Sequence, residues 1–217
     1  MRRGLVSEVF ATEAAMSRFG ALLTDAPVHL VTERAAKALS DTVTPAGLVA
    51  VCSVPETTLD DVLADSRLLA VAVEISEPGN AGTLIRIADA MGADAVVLAG
   101  HSVDPYNGKC LRASAGSIFS IPVVSAPDAL AAVDALTETG LQVLGTTVDG
   151  ELSLDDADLS QPTAWLFGPE AHGLPVDLAA KATHRVHIPM PGNAESLNVA
   201  SAASICLYQS ARAHGSN

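Results

Sequence analysis

Aromatic side chains are scarce in this 217-residue sequence, at 3% of the residues, although 49% of the residues are hydrophobic. A chain of this length can bury a sizeable core. With so few aromatic rings, that core must be built from Ala, Val, Leu and Ile. Small and β-branched side chains of this kind favour tight packing of helices on a β-sheet.

The sequence also lacks a long uninterrupted apolar run. Glu74 and Asp89 interrupt its most hydrophobic stretches, so none reaches the roughly 18 residues that a membrane span needs. Glu8 falls where a secretory signal peptide would be uniformly apolar. These features predict a cytoplasmic protein without a membrane span.

Cysteine and close histidine pairs are few. Cys52, Cys110 and Cys206 are far apart and form no Cys-x-x-Cys motif, which argues against a disulfide framework and a zinc site. We expect three buried, reduced thiols. His184 and His187 are the closest histidine pair, but on a strand this spacing points the rings to opposite faces. No metal is predicted.

Basic residues are outnumbered, with 12 Lys and Arg against 25 Asp and Glu and a net charge of −13. Taken alone, this balance disfavours nucleic-acid binding, because contacts to phosphates supply most non-specific affinity. The charge is unevenly spread, however. The stretch 149–158 contains no basic residue, whereas Arg86, Lys109 and Arg112 lie in or near the polar motifs described below.

From about residue 68 onward, apolar strand patterns alternate with helical ones. Expected strands cover 69–75, 95–99, 122–124, 141–148, 164–167 and 185–188, and expected helices cover 80–91, 127–140 and 197–213, with a loop leading into a further helix at 107–119. Such alternation predicts an α/β domain over 68–217, with a parallel sheet and ligand sites at the carboxyl ends of its strands.

Residues 1–55 form a separate, smaller pattern. Strands are expected at 9–12, 28–31 and 48–54, and helices at 14–23 and 33–39. We interpret this region as a small α/β domain that is joined to the larger one by a linker at 56–67.

Three polar loops fall where an α/β sheet usually binds ligands. The first is Glu77–Gly82, followed by Arg86. Its glycines would let a ligand approach the backbone, but the loop can equally be an ordinary turn with Asn80 as the helix N-cap.

The second loop, 166–174, contains Glu170, a carboxylate that either contacts a ligand or faces water. The third, 188–198, leads into the last expected helix, for which Ser196 is a good N-cap. Asn198 would then lie in the first helical turn, where Asn is unfavourable. None of the three loops is specific alone.

Together and in this order, the loops resemble the SpoU (TrmH-like) branch of the SPOUT methyltransferases, across nearly all of residues 68–213. The resemblance rests on Pro78-Gly79-Asn80-x-Gly82-x-x-x-Arg86, Gly168-x-Glu170-x-x-Gly173, and Ile188-Pro189-Met190 followed by Ser196-Leu197-Asn198-x-x-x-Ala202. Arg112-Ala113-Ser114-Ala115-Gly116 also looks like the family's segment between the first two motifs. The resemblance implies a SPOUT-type parallel sheet with a C-terminal trefoil knot, and a homodimer.

The family pattern also implies site residues. The S-adenosylmethionine site would be lined by Leu144, Gly145, Thr146, Phe167, Gly168, Ile188, Met190, Ser196 and Leu197. The catalytic residues would be Asn80, Arg86, Glu170, Ser196 and Asn198. Arg86, Lys109 and Arg112 would contact the RNA.

The resemblance thus implies methylation of an RNA ribose 2′-hydroxyl. Ribosomal RNA is favoured over transfer RNA, because segments 30–34 and 39–47 resemble part of a ribosomal-protein-like RNA-binding domain. The resemblance covers only part of such a domain, because its usual opening strand and helix are not matched, and we therefore expect a partial domain. Two alternatives stay open: a homologue that binds the cofactor and associates with RNA without catalysis, and a SPOUT enzyme that methylates a base nitrogen.

Overall fold

A computed structural model describes residues 4–23, 26–169 and 172–215 of the chain. The chain divides into two units, residues 1–56 and 57–217. The smaller unit consists of a three-stranded sheet and two helices: β1 (Val6–Ala11), α1 (Glu13–Phe19), β2 (Val28–Leu30), α2 (Glu33–Ala38) and β3 (Leu48–Cys52).

In the smaller unit, β1 is the central strand. It pairs in parallel with β2 and antiparallel with β3. Thr12 and Thr32 begin the two helices, because each side-chain oxygen accepts a hydrogen bond from a backbone N–H three residues on. The core is small and centres on Val9, Ala11 and Ala15.

The segment 56–67, expected to be a linker, contains a short helix, α3 (Leu59–Leu63). Thr58 and Asp61 form a capping box at its start: each side chain accepts a hydrogen bond from the other residue's backbone N–H. Val62 and Leu63 are buried against the larger unit's core. The helix is therefore part of the larger unit.

The larger unit continues with seven strands and five helices. They are β4 (Leu68–Val73), α4 (Pro78–Ala90), β5 (Ala95–Ala99), α5 (Gly108–Ala113), β6 (Val123–Ala126), α6 (Ala129–Glu138), β7 (Gln142–Thr146), β8 (Leu152–Ser153), β9 (Thr163–Phe167), α7 (Val176–Lys181), β10 (His184–His187) and α8 (Val199–Gly215).

The seven strands form one sheet in the order β6-β5-β4-β9-β7-β10-β8. All six neighbouring pairs are parallel, which confirms the predicted α/β fold. One apolar layer lies between the sheet and helices α4 and α8, and the other lies under α3, α6 and α7. Because β4, β5 and β9 are buried on both faces, their sequences are apolar rather than alternating.

Strand β9 carries the only tryptophan, at the middle of the sheet. Trp165 lies opposite Ala70 of β4 on one side and Leu144 of β7 on the other. Its side chain is fully buried, and its Nε1–H donates a 2.9 Å hydrogen bond to Ser210 Oγ on α8. A polar contact therefore joins the last helix to the central strand inside an otherwise apolar layer.

Helix α4 begins earlier than predicted. Its N-cap is Glu77, whose carboxylate accepts a 3.1 Å hydrogen bond from Gly79 N–H, and Pro78 occupies the first helical position. Proline is favoured there because its fixed φ suits the helix and its missing N–H is not needed. The predicted N-cap role of Asn80 was therefore wrong. Gly92, at φ +70°, follows the end of the helix, where glycine readily adopts the left-handed conformation.

The cysteines are only partly as expected. Cys110 and Cys206 are buried, and burial raises the pKa of their thiols to about 11 and about 12. Cys52 is half-buried, so the expectation of three buried thiols was wrong there. Its strand, β3, is at the edge of the small sheet, where one side has no neighbouring strand.

Within the described ranges, no helix combines the length and apolar character needed to cross a membrane. Nor do three or more His, Cys, Asp or Glu side chains of those ranges come together as a metal-ion site.

The Ser210→Ala variant should lose about 1–2 kcal/mol of unfolding free energy, because it leaves the buried Trp165 Nε1–H without its acceptor. Urea unfolding followed by Trp165 fluorescence measures this directly. Ser204→Ala is the matched control, since Ser204 Oγ donates only to Ala200 O within the same helix. Equal unfolding free energies of the two variants would contradict the proposed contribution of the Trp165–Ser210 hydrogen bond to stability.

Candidate active site

A cavity of about 460 Å³ lies at the carboxyl ends of three neighbouring strands, β7, β9 and β10. It is lined by Thr146, Thr147, Val148, Asp149, Phe167, Gly168, Pro169, His172, Gly173, Leu174, Val186, Ile188, Met190, Glu195, Ser196, Leu197, Val199 and Ala202. This edge of a parallel sheet is where ligands of α/β proteins bind, and the volume is within the range of small-molecule sites.

Most of the predicted cofactor-binding residues line this cavity. Seven of the nine do so: Thr146, Phe167, Gly168, Ile188, Met190, Ser196 and Leu197. Leu144 and Gly145 do not. Leu144 is fully buried in the core, and a Cβ on residue 145 would lie 3.0 Å from Leu174 Cδ2. Gly145 thus makes room for Leu174, a residue of the loop after β9 that lines the cavity.

The end of β7 is held on both sides. Thr146 Oγ1 donates a 2.9 Å hydrogen bond to Leu166 O of β9, and Thr147 N–H donates a 3.0 Å bond to Val186 O of β10. The wall that β7 contributes to the cavity is therefore fixed in position relative to both neighbouring strands.

The loop after β9 returns very close to the end of its own strand. A Cβ on Gly168 would overlap backbone atoms of Gly173 and Leu174, so only glycine fits. Gly173 adopts φ +67°, and its N–H donates a 2.9 Å bond to Pro169 O. The result is a cavity wall made largely of backbone. Glu170, predicted to be catalytic, lies outside the described residues.

The third motif ends in a helix cap. Helix α8 begins at Val199, and Asn198 Oδ1 accepts hydrogen bonds of 2.9 Å from Ala200 N–H and 3.4 Å from Ser201 N–H. Asn198 is thus the N-cap, and the predicted cap role of Ser196 was wrong. Ser196 precedes the helix, is exposed, and lines the cavity.

Asn198 also joins the first and third motifs. Its Nδ2–H donates a 3.2 Å hydrogen bond to Asn80 Oδ1, although the two residues are 118 positions apart. Both ends of the Asn198 amide are therefore used, one for the helix and one for Asn80. The structure thus bonds Asn80 of α4 to Asn198 at the start of α8, two residues after Ser196, which lines the cavity.

Gly82 has a packing role rather than the predicted ligand-binding role. A Cβ on residue 82 would overlap Cys110 O and lie 2.7 Å from Ala113 Cβ. Glycine at this position lets α5 pack directly on α4.

This packing brings Lys109 to the start of α4. Lys109 Nζ bonds Glu77 Oε1 at 2.5 Å, and that bond, with the one from Gly79 N–H, holds the pKa of Glu77 below its usual range.

Arg86 and Arg112 lie outside the cavity. Both are exposed. Within the described part of the chain, Arg86 makes no hydrogen bond or ion pair. The Arg112 guanidinium folds back over the first turn of α5, where its Nη1 would be 3.3 Å from a Cβ on Gly108. The predicted RNA-contacting cations thus occupy the α4–α5 side of the site, and among the described residues Lys109 is the one of the three that has an acidic partner, Glu77.

The acidic stretch 149–158 is partly neutralised by β10. Arg185 Nε donates to Glu151 Oε2 at 2.9 Å, and its Nη1 lies 3.4 Å from Asp149 Oδ2. Between these carboxylates, Gly150 passes so close to β10 that a Cβ would lie 2.7 Å from Arg185 O. The chain crosses here from one side of β10 to the other, joining β7 to β8.

Several lining residues were not predicted, among them Thr147, Asp149, His172 and Glu195. The expected strand at 141–148 extended too far, since β7 ends at Thr146. A strand ending there would have placed Thr147 and Asp149 at the ligand-binding edge. His172 and Glu195 lie within the polar loops but give no signal of their own, because exposed His and Glu are common in loops.

The fold and the cavity together define an α/β domain of the class that binds a nucleotide or nucleoside cofactor at the carboxyl edge of a parallel sheet. Comparison with known proteins gives the particular family. The model of the SpoU rRNA Methylase family matches residues 67–208, and the chain belongs to that family. The resemblance seen in the sequence motifs is thereby confirmed.

Two relatives are similar over most of this chain. The 23S rRNA (guanosine(2553)-2′-O)-methyltransferase of Bacillus subtilis (strain 168) is 39% identical over 180 residues, which cover 83% of this chain and 71% of the relative. The 23S rRNA (uridine(2479)-2′-O)-methyltransferase of Streptomyces viridochromogenes is 38% identical over 174 residues, 77% of this chain and 61% of that protein. This chain is thus shorter than both.

A solved structure is also similar. The crystal structure of the SpoU methyltransferase AviRb from Streptomyces viridochromogenes in complex with AdoMet (S-adenosylmethionine) superposes with a TM-score of 0.86 and 30% identity. The match covers 98% of this chain and 84% of that one.

The Gly168→Ala variant should displace the loop after β9 and cost about 1–3 kcal/mol of unfolding free energy, because the added methyl group would overlap backbone rather than a movable side chain. Chemical denaturation measures the loss. Gly192→Ala is the control, since a Cβ there has no heavy atom within 4 Å. A Gly168→Ala protein as stable as this control would show that the loop is not packed as described.

Proposed function

We propose that the chain methylates the 2′-hydroxyl of a ribose in RNA, with S-adenosylmethionine as methyl donor and ribosomal RNA as a more favoured substrate than transfer RNA. The observation that carries the proposal is the bond between Asn198 and Asn80. It joins the residues that border the cavity to a helix that carries an exposed arginine. Both curated relatives described above are named as 23S rRNA 2′-O-methyltransferases.

The cavity fits the cofactor in size and in the nature of its walls. Gly168 leaves a backbone wall that no side chain could replace, while Ile188, Leu197 and Val199 supply apolar surface for a flat ring. Asp149, His172 and Glu195 place polar groups at the same cavity. When bound, S-adenosylmethionine would supply a methyl group already activated by the adjacent sulfonium, so the protein's task is orientation and proton handling.

Arg86 is the residue best suited to the attacking hydroxyl. A guanidinium is permanently cationic in proteins, so it serves poorly as a base. It can stabilise the negative charge that develops on the 2′-oxygen, or bind a neighbouring phosphate. Its exposure, and the lack of any bond to another described residue, leave its donors available to an RNA substrate.

Asn198 and Asn80 act as a pair in this proposal. Because Asn80 Oδ1 accepts from Asn198, the Asn80 amide is held in one orientation, with its Nδ2–H group directed away from that bond. Ser196 supplies a hydroxyl at the cavity wall. The family pattern adds Glu170 to this set, as a residue that holds Arg86 or the substrate.

The rest of the RNA would lie outside the cavity. Lys109 and Arg112 are exposed cations on α5, and Lys109 bonds Glu77 at the start of α4; we assign both cations to the phosphate backbone. We further propose that residues 1–55 act as a partial RNA-binding domain, that 56–67 connect the two domains, and that 68–217 are the SPOUT domain of a homodimer. An enzyme of ribosomal RNA would work in the cytoplasm.

A trefoil knot in the C-terminal part of the chain belongs to the same proposal. It is supported by the position of β10, which lies between β7 and β8 in the sheet. The segment joining those two strands crosses β10 at Gly150, too closely for a side chain. A later strand enclosed by an earlier connection is the arrangement that a knotted SPOUT domain requires.

The activity is tested by incubating the full chain with labelled S-adenosylmethionine and unmodified ribosomal or transfer RNA. Methylation of a ribose yields dinucleotides that resist nuclease digestion, and we expect these from ribosomal RNA. A methylated base in the digest would instead identify base chemistry. Cofactor binding in calorimetry without transfer to either RNA would support the non-catalytic alternative.

The Arg86→Ala variant should reduce kcat about 100-fold or more, because it removes the charge that stabilises the attacking oxygen. Its affinity for S-adenosylmethionine should stay unchanged, since Arg86 does not line the cavity. Arg67→Ala is the control. It removes the same charge from an exposed arginine just before β4, at the end of that strand away from α4. Full turnover by Arg86→Ala would refute the assignment.

Two substitutions of Asn198 separate its two bonds. Asn198→Asp keeps an oxygen for the α8 cap but cannot donate to Asn80, so stability should hold while turnover falls by about tenfold or more. Asn198→Ala should lose turnover and about 1 kcal/mol of stability. Asn193→Asp adds the same charge in the same loop as a control. If Asn198→Asp turned over normally, the bond to Asn80 would have no role in catalysis.

A further inference from the structure

One buried hydroxyl in the cavity wall has no partner. Within the described ranges, Thr147 Oγ1 is the buried side-chain polar atom that makes no hydrogen bond. An unsatisfied buried hydroxyl costs about 1–3 kcal/mol, and native proteins contain few of them. Such an atom beside a cavity therefore requires a physical reason.

The fully buried hydroxyl-bearing residues elsewhere in the described ranges are all bonded. Thr12 Oγ1 accepts from Ala15 N–H, Ser114 Oγ donates to Leu111 O, and Ser210 Oγ accepts from Trp165. Thr163 Oγ1 bonds both Gln161 O and Gln142. Among the buried hydroxyls of the described residues, the one without a partner thus belongs to a residue that lines the 460 Å³ cavity.

The backbone around Thr147 fixes where its side chain can reach. Its N–H is bonded to Val186 O, which extends the β7–β10 pairing by one residue. Because side chains alternate along a strand, Thr147 points away from the side on which Thr146 bonds Leu166 O. Thr147 nevertheless lines the cavity, and in the proposal below its hydroxyl reaches a bound ligand by rotation about χ1 between staggered positions.

The position of this hydroxyl favours one part of the ligand. Charged groups of a cofactor need water or counter-charges, and the exposed Asp149, His172 and Glu195 provide a polar rim. Thr147 Oγ1 is neutral and shielded from water, which suits an uncharged group. A nucleoside offers such groups in its ring nitrogens and ribose hydroxyls.

We propose that the Thr147 hydroxyl is a recognition group for the nucleoside half of S-adenosylmethionine, with which it forms the hydrogen bond that it lacks in the cofactor-free protein. This inference rests on the proposed function, since it takes that cofactor as the ligand. The Thr147 hydroxyl would then have two opposite effects. It would lower the stability of the protein without S-adenosylmethionine, and it would raise the affinity of the protein for that cofactor.

The Thr147→Val variant tests both effects, because valine has nearly the same shape without the hydroxyl. Without cofactor, the melting temperature should be unchanged or raised by about 2–4 °C, since a buried unsatisfied group has been removed. Thr146→Val is the matched comparison for this measurement. Its melting temperature should be lower than that of the wild type, because the hydroxyl it removes is bonded to Leu166 O.

Calorimetry then measures affinity with two probes. For the Thr147→Val variant, the Kd values of S-adenosylmethionine and of 5′-methylthioadenosine, which lacks the amino-acid part, should both rise about tenfold. A normal Kd for both probes would overturn the inference, and so would a rise for S-adenosylmethionine alone. A lowered melting temperature of the cofactor-free variant would also overturn it, since the hydroxyl would then be bonded within the protein. If the wild-type chain bound neither probe, the proposed function itself would fail, and this inference with it.

Discussion

The larger unit depends on the insertion of β9 between β4 and β7. This strand comes late in the sequence, yet it pairs on one side with β4, the first strand of the unit, and on the other side with β7. Its apolar side chains fill both layers, and Trp165 links it to Ser210 of the last helix. Because β9 is fixed in this way, its carboxyl end places Gly168 beside the ends of β7 and β10. The cavity exists where these three ends meet.

Much of this architecture could be predicted from the sequence, because buried parallel strands are continuous apolar runs and helices follow them at regular intervals. The first turns of the helices were harder to predict. Asn80 and Ser196 both have the chemistry of an N-cap, but Glu77 and Asn198 serve instead. Local propensity allows several neighbouring caps, and the choice is made by tertiary contacts. The bonds of Glu77 to Lys109 and of Asn198 to Asn80 are two such contacts.

The site was predictable to the extent that its residues belong to motifs with fixed spacing. Ser196, Met190 and Gly168 line the cavity as the pattern implies. Residues whose role depends on packing were not predictable. Gly82 looked like a ligand-binding glycine but makes room for α5, and Gly145, which does not line the cavity, makes room for Leu174. A sequence shows that a side chain is absent at these positions, and only the fold shows which neighbour occupies the space.

The distribution of charge has a consequence for any encounter with RNA. The chain carries a net charge of −13, and the candidate contacts of its larger unit to phosphate are a few cations near α4 and α5. Each phosphate that a protein neutralises releases condensed counterions, which gives highly basic proteins their steep dependence on salt. With so few cations, this protein would release few counterions and gain little long-range attraction. Recognition would then depend on the shape of a folded RNA and on close contacts formed after collision, and it would tolerate salt well.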